Sequence, residues 1–359
     1  MNKKIKVGIF FGGKSAEHEV SLQSARNVYK AIDKERFEPV LIFIDKDGRW
    51  FLVGNDEKVF MEEEARKDGK EVVFPVGRKG LLVKIDGGEI SKIDVAFPVL
   101  HGTFGEDGTL QGLFELANVP FVGASVLGSS VGMDKEATKR VLRDNGIPIA
   151  DFVVVKRDKE TPSYNNVAEK FGTPFFVKPA NMGSSVGVYK VEREEDYKKA
   201  IDGAFLYDNK IIIEEFVKGR EIECSVLGNE NPKSSKLGEV IPQKDFYSYD
   251  AKYISEDGAE LVVPVELEKE AEKKMRKVAV SAFSALYCEG FARVDFFLKE
   301  DGSVIVNEIN TIPGFTKISM YPKLWEVSGL SYPKLITYLI GLAIKKHKRD
   351  EKLKTTFKD

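Results

Sequence analysis

Phe291-Ala-Arg-Val-Asp-Phe-Phe-Leu298 and Ser303-Val-Ile-Val-Asn-Glu-Ile-Asn310 flank an Asp301-Gly302 dipeptide. Asp-Gly between two alternating apolar runs is a strong hairpin signal. With Asp301-Gly302 as a two-residue tip, Asp295 faces Glu308 and Arg293 faces Asn310. Side chains alternate along a strand, so these four share one face, while Val294, Phe296, Leu298, Ile305 and Ile309 fill the other. Directly opposed like charges repel, so the Asp295–Glu308 pair calls for an offsetting partner. Two carboxylates and an amide oxygen suit a hard cation such as Mg²⁺, which takes a few protein oxygens plus substrate phosphates. The competing reading of the hairpin alone is a solvated polar face that happens to carry acids. Next comes Thr311-Ile-Pro-Gly-Phe-Thr316, a Pro-Gly turn that brings backbone N–H groups close to the acids.

The surrounding chain has 359 residues, 42% hydrophobic and 31% charged, the composition of a globular protein of about two or three domains. A net charge of −2 and a pI near 6.1 argue against nucleic acid or an anionic membrane as the main partner. The basic cluster Lys345-Lys-His-Lys-Arg349 reads as a solvated helix end. The apolar run 335–344 is too short to span a bilayer, and Met1-Asn-Lys-Lys-Ile-Lys-Val lacks a signal-peptide core. Cys224 and Cys288 have no metal or redox spacing, which points to buried small hydrophobes in a reduced, cytoplasmic setting.

Residues 4–11 read as a buried strand, 16–32 as an amphipathic helix and 39–44 as a second strand. The Gly-rich, charged stretch 45–89 suggests small hairpins inserted into an α/β unit, which strand 95–100 and helix 108–118 resume. This first unit is expected to be an open parallel sheet with helices on its faces. A boundary is expected near Gly132, before helix 134–145, which stops at Gly146 with Pro148 beyond. Strands 152–155, 175–178 and 211–217 then alternate with helices 164–171 and 194–204. A second boundary falls near 218–220. Strands 221–227 and 238–243, a polar loop over 245–260 and helix 266–288 lead to the hairpin and terminal helices. A polar loop of that length usually serves as a lid or binding loop.

Two stretches could hold phosphate. Gly8-Ile-Phe-Phe-Gly-Gly-Lys-Ser15 matches G-x-x-x-x-G-K-S letter for letter, and Asp45 could supply its second-site acid. Ile9, Phe10 and Phe11 are nevertheless too bulky for a cradle of backbone amides, so the match reads as accidental. The better loop is Lys178-Pro-Ala-Asn-Met-Gly-Ser-Ser-Val-Gly187, where a strand delivers a lysine into a Gly/Ser stretch. No helix follows, so the phosphates would lie under a flap, with Lys178 as a point charge. An ordinary hairpin loop is the bland alternative. Glu214 and Glu221 are acids beside the apolar strand that follows, plausible partners for adenine and ribose hydroxyls.

Lys135, Lys178 ahead of its loop, Glu214-Glu-Phe-Val217 and the Arg293-Val-Asp…Asn307-Glu-Ile-Asn310 hairpin together resemble the ATP-grasp superfamily. More closely, the chain resembles the D-alanine–D-alanine ligase family. The match rests on Gly12-Gly-Lys-Ser-Ala-Glu-His-Glu-Val-Ser21, His101-Gly-Thr-Phe-Gly-Glu-Asp-Gly-Thr-Leu-Gln-Gly112, Tyr247-Ser-Tyr-Asp-Ala-Lys-Tyr253 and Asn307-Glu-Ile-Asn-Thr-Ile-Pro-Gly-Phe-Thr316. These segments are long, in family order and spread over nearly the whole chain. The resemblance implies a mixed α/β and α+β fold, with an N-terminal open parallel α/β domain followed by a two-lobed ATP-grasp domain. The implied divisions are 1–132, a central lobe 133–219 carrying the phosphate-covering loop, and a C-terminal lobe 220–359 carrying the metal site and substrate loop.

In such ligases ATP phosphorylates the carboxylate of one D-alanine, and the amine of a second attacks the acyl phosphate. The resemblance implies that Glu17 meets the first ammonium, with Ser184 and Tyr253 nearby; a first-turn acid also suits the helix dipole. Lys135 and Lys178 would hold the ATP phosphates under Ser184 and Ser185. Glu214, Glu215 and Val217 would line the adenine, and Glu221 the ribose. Glu215 departs from members with lysine there, but the contact is through backbone. Asp295, Glu308 and Asn310 would hold two Mg²⁺ or Mn²⁺ per subunit, and a monovalent cation is left open. Arg293 and the amide of Gly314 would face the oxyanion, His101 would position substrate, and Lys252 and Ser319 would bind the second carboxylate. The implied partners are ATP and D-alanine, in a homodimer making peptidoglycan precursors. Tyr253 suggests the dipeptide as product, with D-alanine–D-lactate or D-alanine–D-serine ligation as the near alternatives. A P-loop NTPase using Lys14 and a non-catalytic nucleotide sensor are the distant ones.

Overall fold

The computed structural model describes residues 3–242, 259–354 and 356–357. Strand β1 (Ile5–Gly12) is buried from Val7 onward, as only a central strand covered on both faces can be. It pairs in parallel with β2 (Phe37–Ile44) and β7 (Val95–Pro98). Alternation divides its side chains. Val7, Ile9 and Phe11 join one core with Ala25 and Val28 of α1 (His18–Ala31). Phe10 joins the other with Leu110 and Phe114 of α3 (Thr109–Leu116).

The expected hairpins of 45–89 are present as β3 (Trp50–Val53), β4 (Lys70–Val73), β5 (Leu81–Lys84) and β6 (Glu89–Lys92). They extend the sheet antiparallel on one edge, giving the order β6-β5-β4-β3-β2-β1-β7. The sheet is open, but only three of its seven strands are parallel. A short helix, α2 (Glu62–Asp68), lies among the hairpins and was not expected.

The Gly-Gly turn after β1 decides against a P-loop. Ile9, Phe10 and Phe11 are fully buried strand residues. The amides that would cradle phosphate are already engaged: Gly12 N–H donates to Ser21 Oγ at 2.8 Å and Gly13 N–H to Ile44 O at 2.7 Å. Gly12 sits at φ +91°, and a Cβ there would lie 2.2 Å from Ile44 O, so this turn admits no side chain.

A second sheet, ordered β10-β9-β11-β8, is built from β8 (Phe152–Lys156), β9 (Phe175–Pro179), β10 (Tyr189–Val191) and β11 (Lys210–Glu215). Helices α6 (Tyr164–Phe171) and α7 (Glu194–Ala204) pack on it. Before it come α4 (Val126–Met133) and α5 (Lys135–Asp144). Helix α4 was not foreseen, because Gly and Ser are poor helix formers, and the boundary expected near Gly132 falls in its last turn. Those glycines permit close packing. A Cβ on Gly128 would meet Tyr287 O at 2.5 Å, and one on Gly132 would meet Thr311 Cγ2 at 2.8 Å.

The third sheet is antiparallel, ordered β14-β13-β12-β15-β16. Its strands are β12 (Arg220–Gly228), β13 (Lys233–Pro242), β14 (Ala259–Val262), β15 (Gly290–Leu298) and β16 (Val304–Asn310). Helix α8 (Lys269–Ala285) covers one face through Met275, Ala279, Ala282 and Phe283. Helices α9 (Met320–Val327) and α10 (Tyr332–Asp350) follow. Leu335, Ile336, Leu339 and Ile340 of α10 enter the core beneath β1, so the end of the chain is welded to its beginning. The polar loop expected over 245–260 falls almost wholly on 243–258, outside the described residues, and Ala259–Val262 pairs with β13 as a strand. Cys224 and Cys288 are buried, and desolvation pushes both thiols up to about 12.

In the β15–β16 hairpin two departures from expectation cancel. The tip holds three residues rather than two: Lys299 N–H donates to Ser303 O at 2.9 Å, with Gly302 at φ 77°. That shifts the register by one, so Phe296 pairs with Val306 and Leu298 with Val304. A bulge beside Asp295 then restores it, and Asp295 faces Glu308 while Arg293 faces Asn310. Ile305, expected in the core, instead pairs with Phe297 on the polar side, and Val304 and Val306 take the buried positions.

Candidate active site

Between the second and third sheets lies a cavity of about 440 Å³. Its lining includes Lys135, Lys178, Ser184, Ser185, Glu214, Glu215, Val217, Glu221 and Glu308. All eight positions expected around ATP are therefore brought together. Lys135 opens α5, whose N-cap Asp134 accepts from Ala137 N–H at 2.9 Å. Its ammonium donates to Met182 O at 2.5 Å and lies 3.9 Å from Glu308 Oε2.

Glu214 is fully buried, with one oxygen on the ammonium of Lys178 and the other on that of Lys139. Burial by itself would raise its pKa, but the two lysines outweigh that and hold the carboxyl down at about 2. Arg220 adds a bidentate pair to Glu239 at 2.7 and 2.6 Å on the cavity wall. None of Lys139, Arg220 and Glu239 was anticipated. For Lys139 a signal existed: it lies one turn after Lys135, on the same helix face.

The Gly/Ser loop bends through two left-handed residues, Ser184 at φ 52° and Ser185 at φ 60°. It reaches the N-terminal unit, where the Ser184 hydroxyl donates to Glu17 Oε1. Two glycines wall the Glu17 carboxylate. A Cβ would lie 2.7 Å from its Oε2 on Gly102 and 3.0 Å on Gly183. Glu106, within 101–112, has no role that the sequence alone suggests. One of its oxygens accepts from Gly102 N–H at 2.7 Å and the other from Ile312 N–H at 3.0 Å, joining the loop after β7 to the turn after β16. Burial first, then the Glu17 charge, raises its pKa.

The polar face of the third sheet carries one more acid than foreseen. Glu223, Asp295 and Glu308 stand in register across β12, β15 and β16. Arg293 donates to Asp295 at 2.7 and 2.8 Å, and its Nε is 2.9 Å from Glu223 Oε2. Asn310 Nδ2 also donates to Asp295, at 2.9 Å. The offset demanded by the facing acids thus comes from Arg293 on one side and Lys135 on the other. Among the described residues no group of three or more His, Cys, Asp or Glu is arranged to hold a metal; the expected set is two carboxylates and an amide oxygen. Glu221 and Glu223 alternate along one strand, so their shared face was legible; only the β12–β15 register shows that Glu223 meets Arg293.

His101 is buried within a directed chain of hydrogen bonds. Phe315 N–H donates to Ser24 Oγ at 3.2 Å, and Ser24 lies 3.2 Å from His101 Nε2. His101 Nδ1 lies 2.9 Å from Ile312 O, which can only accept. Nδ1 therefore carries the proton and Nε2 accepts from Ser24. Desolvation, with the Arg293 charge adding to it, lowers the pKa to about 4, against the raising effect of the Ile312 carbonyl. Unfolded chains hold this proton near pH 6.5, so the unfolded state binds more protons between about 6.5 and 4. The contribution is complete above about 6.5 and disappears as pH falls to about 4, up to roughly 3 kcal/mol. Denaturant titrations across that range should show the acid-side loss in the parent chain and a smaller one in His101→Gln. Equal slopes would refute it.

Gly314 and Ser319 lie together, since a Cβ on Gly314 would sit 2.7 Å from Ser319 Oγ, and Thr316 N–H donates to that oxygen at 2.9 Å. Lys252 and Tyr253 lie outside the described residues. No single described helix is long and apolar enough to cross a membrane.

A family model described as the D-ala D-ala ligase C-terminus matches residues 141–341, and one described as the N-terminus matches 6–124. A D-alanine–D-alanine ligase of Shouchella clausii is 52% identical over 99% of both chains. The solved D-alanine–D-alanine ligase of Coxiella burnetii superposes with a TM-score of 0.88 at 39% identity, covering 97% of this chain and 96% of its own. The VanG D-Ala:D-Ser ligase of Enterococcus faecalis gives 0.86 at 37%, covering 95% and 100%. A Bacillus anthracis D-alanine–D-alanine ligase solved with ATP gives 0.73 at 27%, covering 96% and 99%. With an α/β unit, two sheets enclosing a lysine-lined cavity and both family models matched in order, the chain belongs to the D-alanine–D-alanine ligase family, whose fold is ATP-grasp.

Proposed function

We propose that this enzyme joins two D-alanines into D-alanyl-D-alanine for peptidoglycan synthesis, cleaving ATP to ADP and phosphate by way of an acyl phosphate. The observation that carries the reading is the contact between Ser184 and Glu17. It joins the loop over the nucleotide cavity to the acid suited to a substrate ammonium, so the phosphoryl donor and the carboxylate to be activated can meet there. Lys135 and Lys178 draw the phosphates into the cavity, and Glu214, Glu215, Val217 and Glu221 line the nucleoside. Arg293 and the Gly314 amide donate to the oxyanion, while His101 holds the Ile312 turn that carries Gly314. Ser319 and Lys252 take the second carboxylate, and Tyr253 joins Glu17 and Ser184 at the first substrate.

Asp295, Glu308 and Asn310 offer only oxygen donors on one sheet face, which fits hard divalent ions such as Mg²⁺ or Mn²⁺. Such ions would neutralise charge on the transferring phosphoryl group. The chain divides at 1–132, 133–219 and 220–359, works in the cytoplasm where ATP is available, and is a homodimer by family resemblance. A D-serine acceptor is the second reading, favoured by the 37% identity to a D-Ala:D-Ser ligase.

The test is ADP release by the purified protein with ATP, Mg²⁺ and D-alanine, with D-serine and D-lactate as competitors and products identified by mass. D-Alanine-dependent ADP release and a D-alanyl-D-alanine product are expected. ATP cleavage indifferent to D-alanine would overturn the reading, and a dominant mixed product would favour the second.

A further inference from the structure

One wall of the nucleotide cavity carries three charges in a row, Lys139, Glu214 and Lys178. Lys178 and Glu214 line the cavity. Lys139 is sealed behind them, 2% exposed, with its ammonium 5.9 Å from the centre of the Phe152 ring. It is too deep for substrate to touch. A buried lysine is costly even when paired, and an apolar residue of similar size would commonly serve stability as well. Its position is set with care nonetheless. Lys210 ties the start of β11 to the start of α5 through Asp134 at 2.6 Å and Glu136 at 2.8 Å, which holds the helix face bearing Lys135 and Lys139 against the strand bearing Glu214.

We propose that Lys139 is a positioning residue for the nucleotide phosphates. By taking one oxygen of Glu214 and balancing its charge, it leaves Lys178 uncompensated and available to the polyphosphate. The three groups together carry one positive charge. Without Lys139, Glu214 and Lys178 form a neutral pair, and the carboxylate competes with phosphate for the Lys178 ammonium. The ligand class is a nucleoside di- or triphosphate, and the proposal rests on the nucleotide reading of this cavity.

The effect must therefore depend on phosphate. In Lys139→Met, measured on the full chain, the ADP dissociation constant and the KM for ATP should rise about tenfold, while adenosine binding stays within about twofold and the KM for D-alanine is unmoved. Lys139→Arg should keep most of the parent affinity. A wall damaged by misfolding would weaken adenosine too, and Lys139→Arg would not then keep an ADP affinity that Lys139→Met loses. If Lys139→Met does not fold, Lys139→Gln decides in its place: ADP affinity about tenfold weaker with adenosine within about twofold supports the proposal, and equal weakening of both ligands overturns it. Unchanged ADP binding in Lys139→Met also overturns it. Parent protein that binds neither ATP nor ADP would defeat the nucleotide reading itself, a separate result from parent binding with an indifferent Lys139 variant.

Discussion

Lys178→Ala should lower kcat/KM for ATP by about a thousandfold, whereas Lys14→Ala should leave nucleotide binding within about twofold of the parent. Lys178 heads one candidate phosphate loop and Lys14 closes the other, and the structure separates them by what surrounds each. Lys178 lines the 440 Å³ cavity with its ammonium against Glu214. Removing it takes away the point charge expected to hold the phosphates and leaves Glu214 with Lys139 alone. Lys14 follows a turn whose glycine amides already bond to Ser21 and Ile44. Calorimetric titration with ADP and steady-state rates on both variants form the measurement. Loss of ADP binding in Lys14→Ala, with Lys178→Ala unaffected, would reverse the assignment.

Arg293→Met should act on turnover and on stability at once. As an oxyanion donor its loss should cost about two to three orders of magnitude in kcat. The same side chain neutralises Asp295 and Glu223, and all three are mostly buried. Without it Glu223, Asp295 and Glu308 face one another with Lys135 as the nearby cation left among the described residues, which should destabilise the metal-free protein by roughly 3 kcal/mol. Added Mg²⁺ should recover much of that stability and none of the turnover, since it can balance the acids but cannot donate a hydrogen bond to the oxyanion. Thermal unfolding with and without Mg²⁺, beside kcat, separates the two effects. A variant that keeps more than about a tenth of parental kcat would remove Arg293 from the chemistry.

The hairpin shows how a sequence argument can reach the right pairing through a wrong intermediate. Asp301-Gly302 located the turn, and alternation grouped Arg293, Asp295, Glu308 and Asn310 on one face. The loop length was wrong by one residue, and the bulge beside Asp295 compensates for it. Neither feature has a local signature strong enough to read, because a three-residue tip and a bulge are selected by what the strands pack against. Ile305 was misplaced for that reason. Helix α4 has no local signal, because its Gly and Ser residues argue against a helix, while close approach to Tyr287 and Thr311 requires those glycines.

Motif and alternation sufficed wherever the signal lies within about ten residues. They located Lys178 and its loop, the acids of the hairpin, and the strand that rules out a P-loop at Lys14. Contacts between distant segments were another matter. Ser184 on Glu17, Glu106 bridging Gly102 and Ile312, Arg293 on Glu223 and Lys139 behind Glu214 join segments up to about 200 residues apart. No local pattern encodes such partners, because burial leaves each charge stable only where another element delivers its counterion. The sequence alone therefore picked out the groups proposed to do the chemistry. The tertiary structure decided which charges balance them, since that balance exists only once the second and third sheets have met around the cavity and the last helix has packed beneath β1.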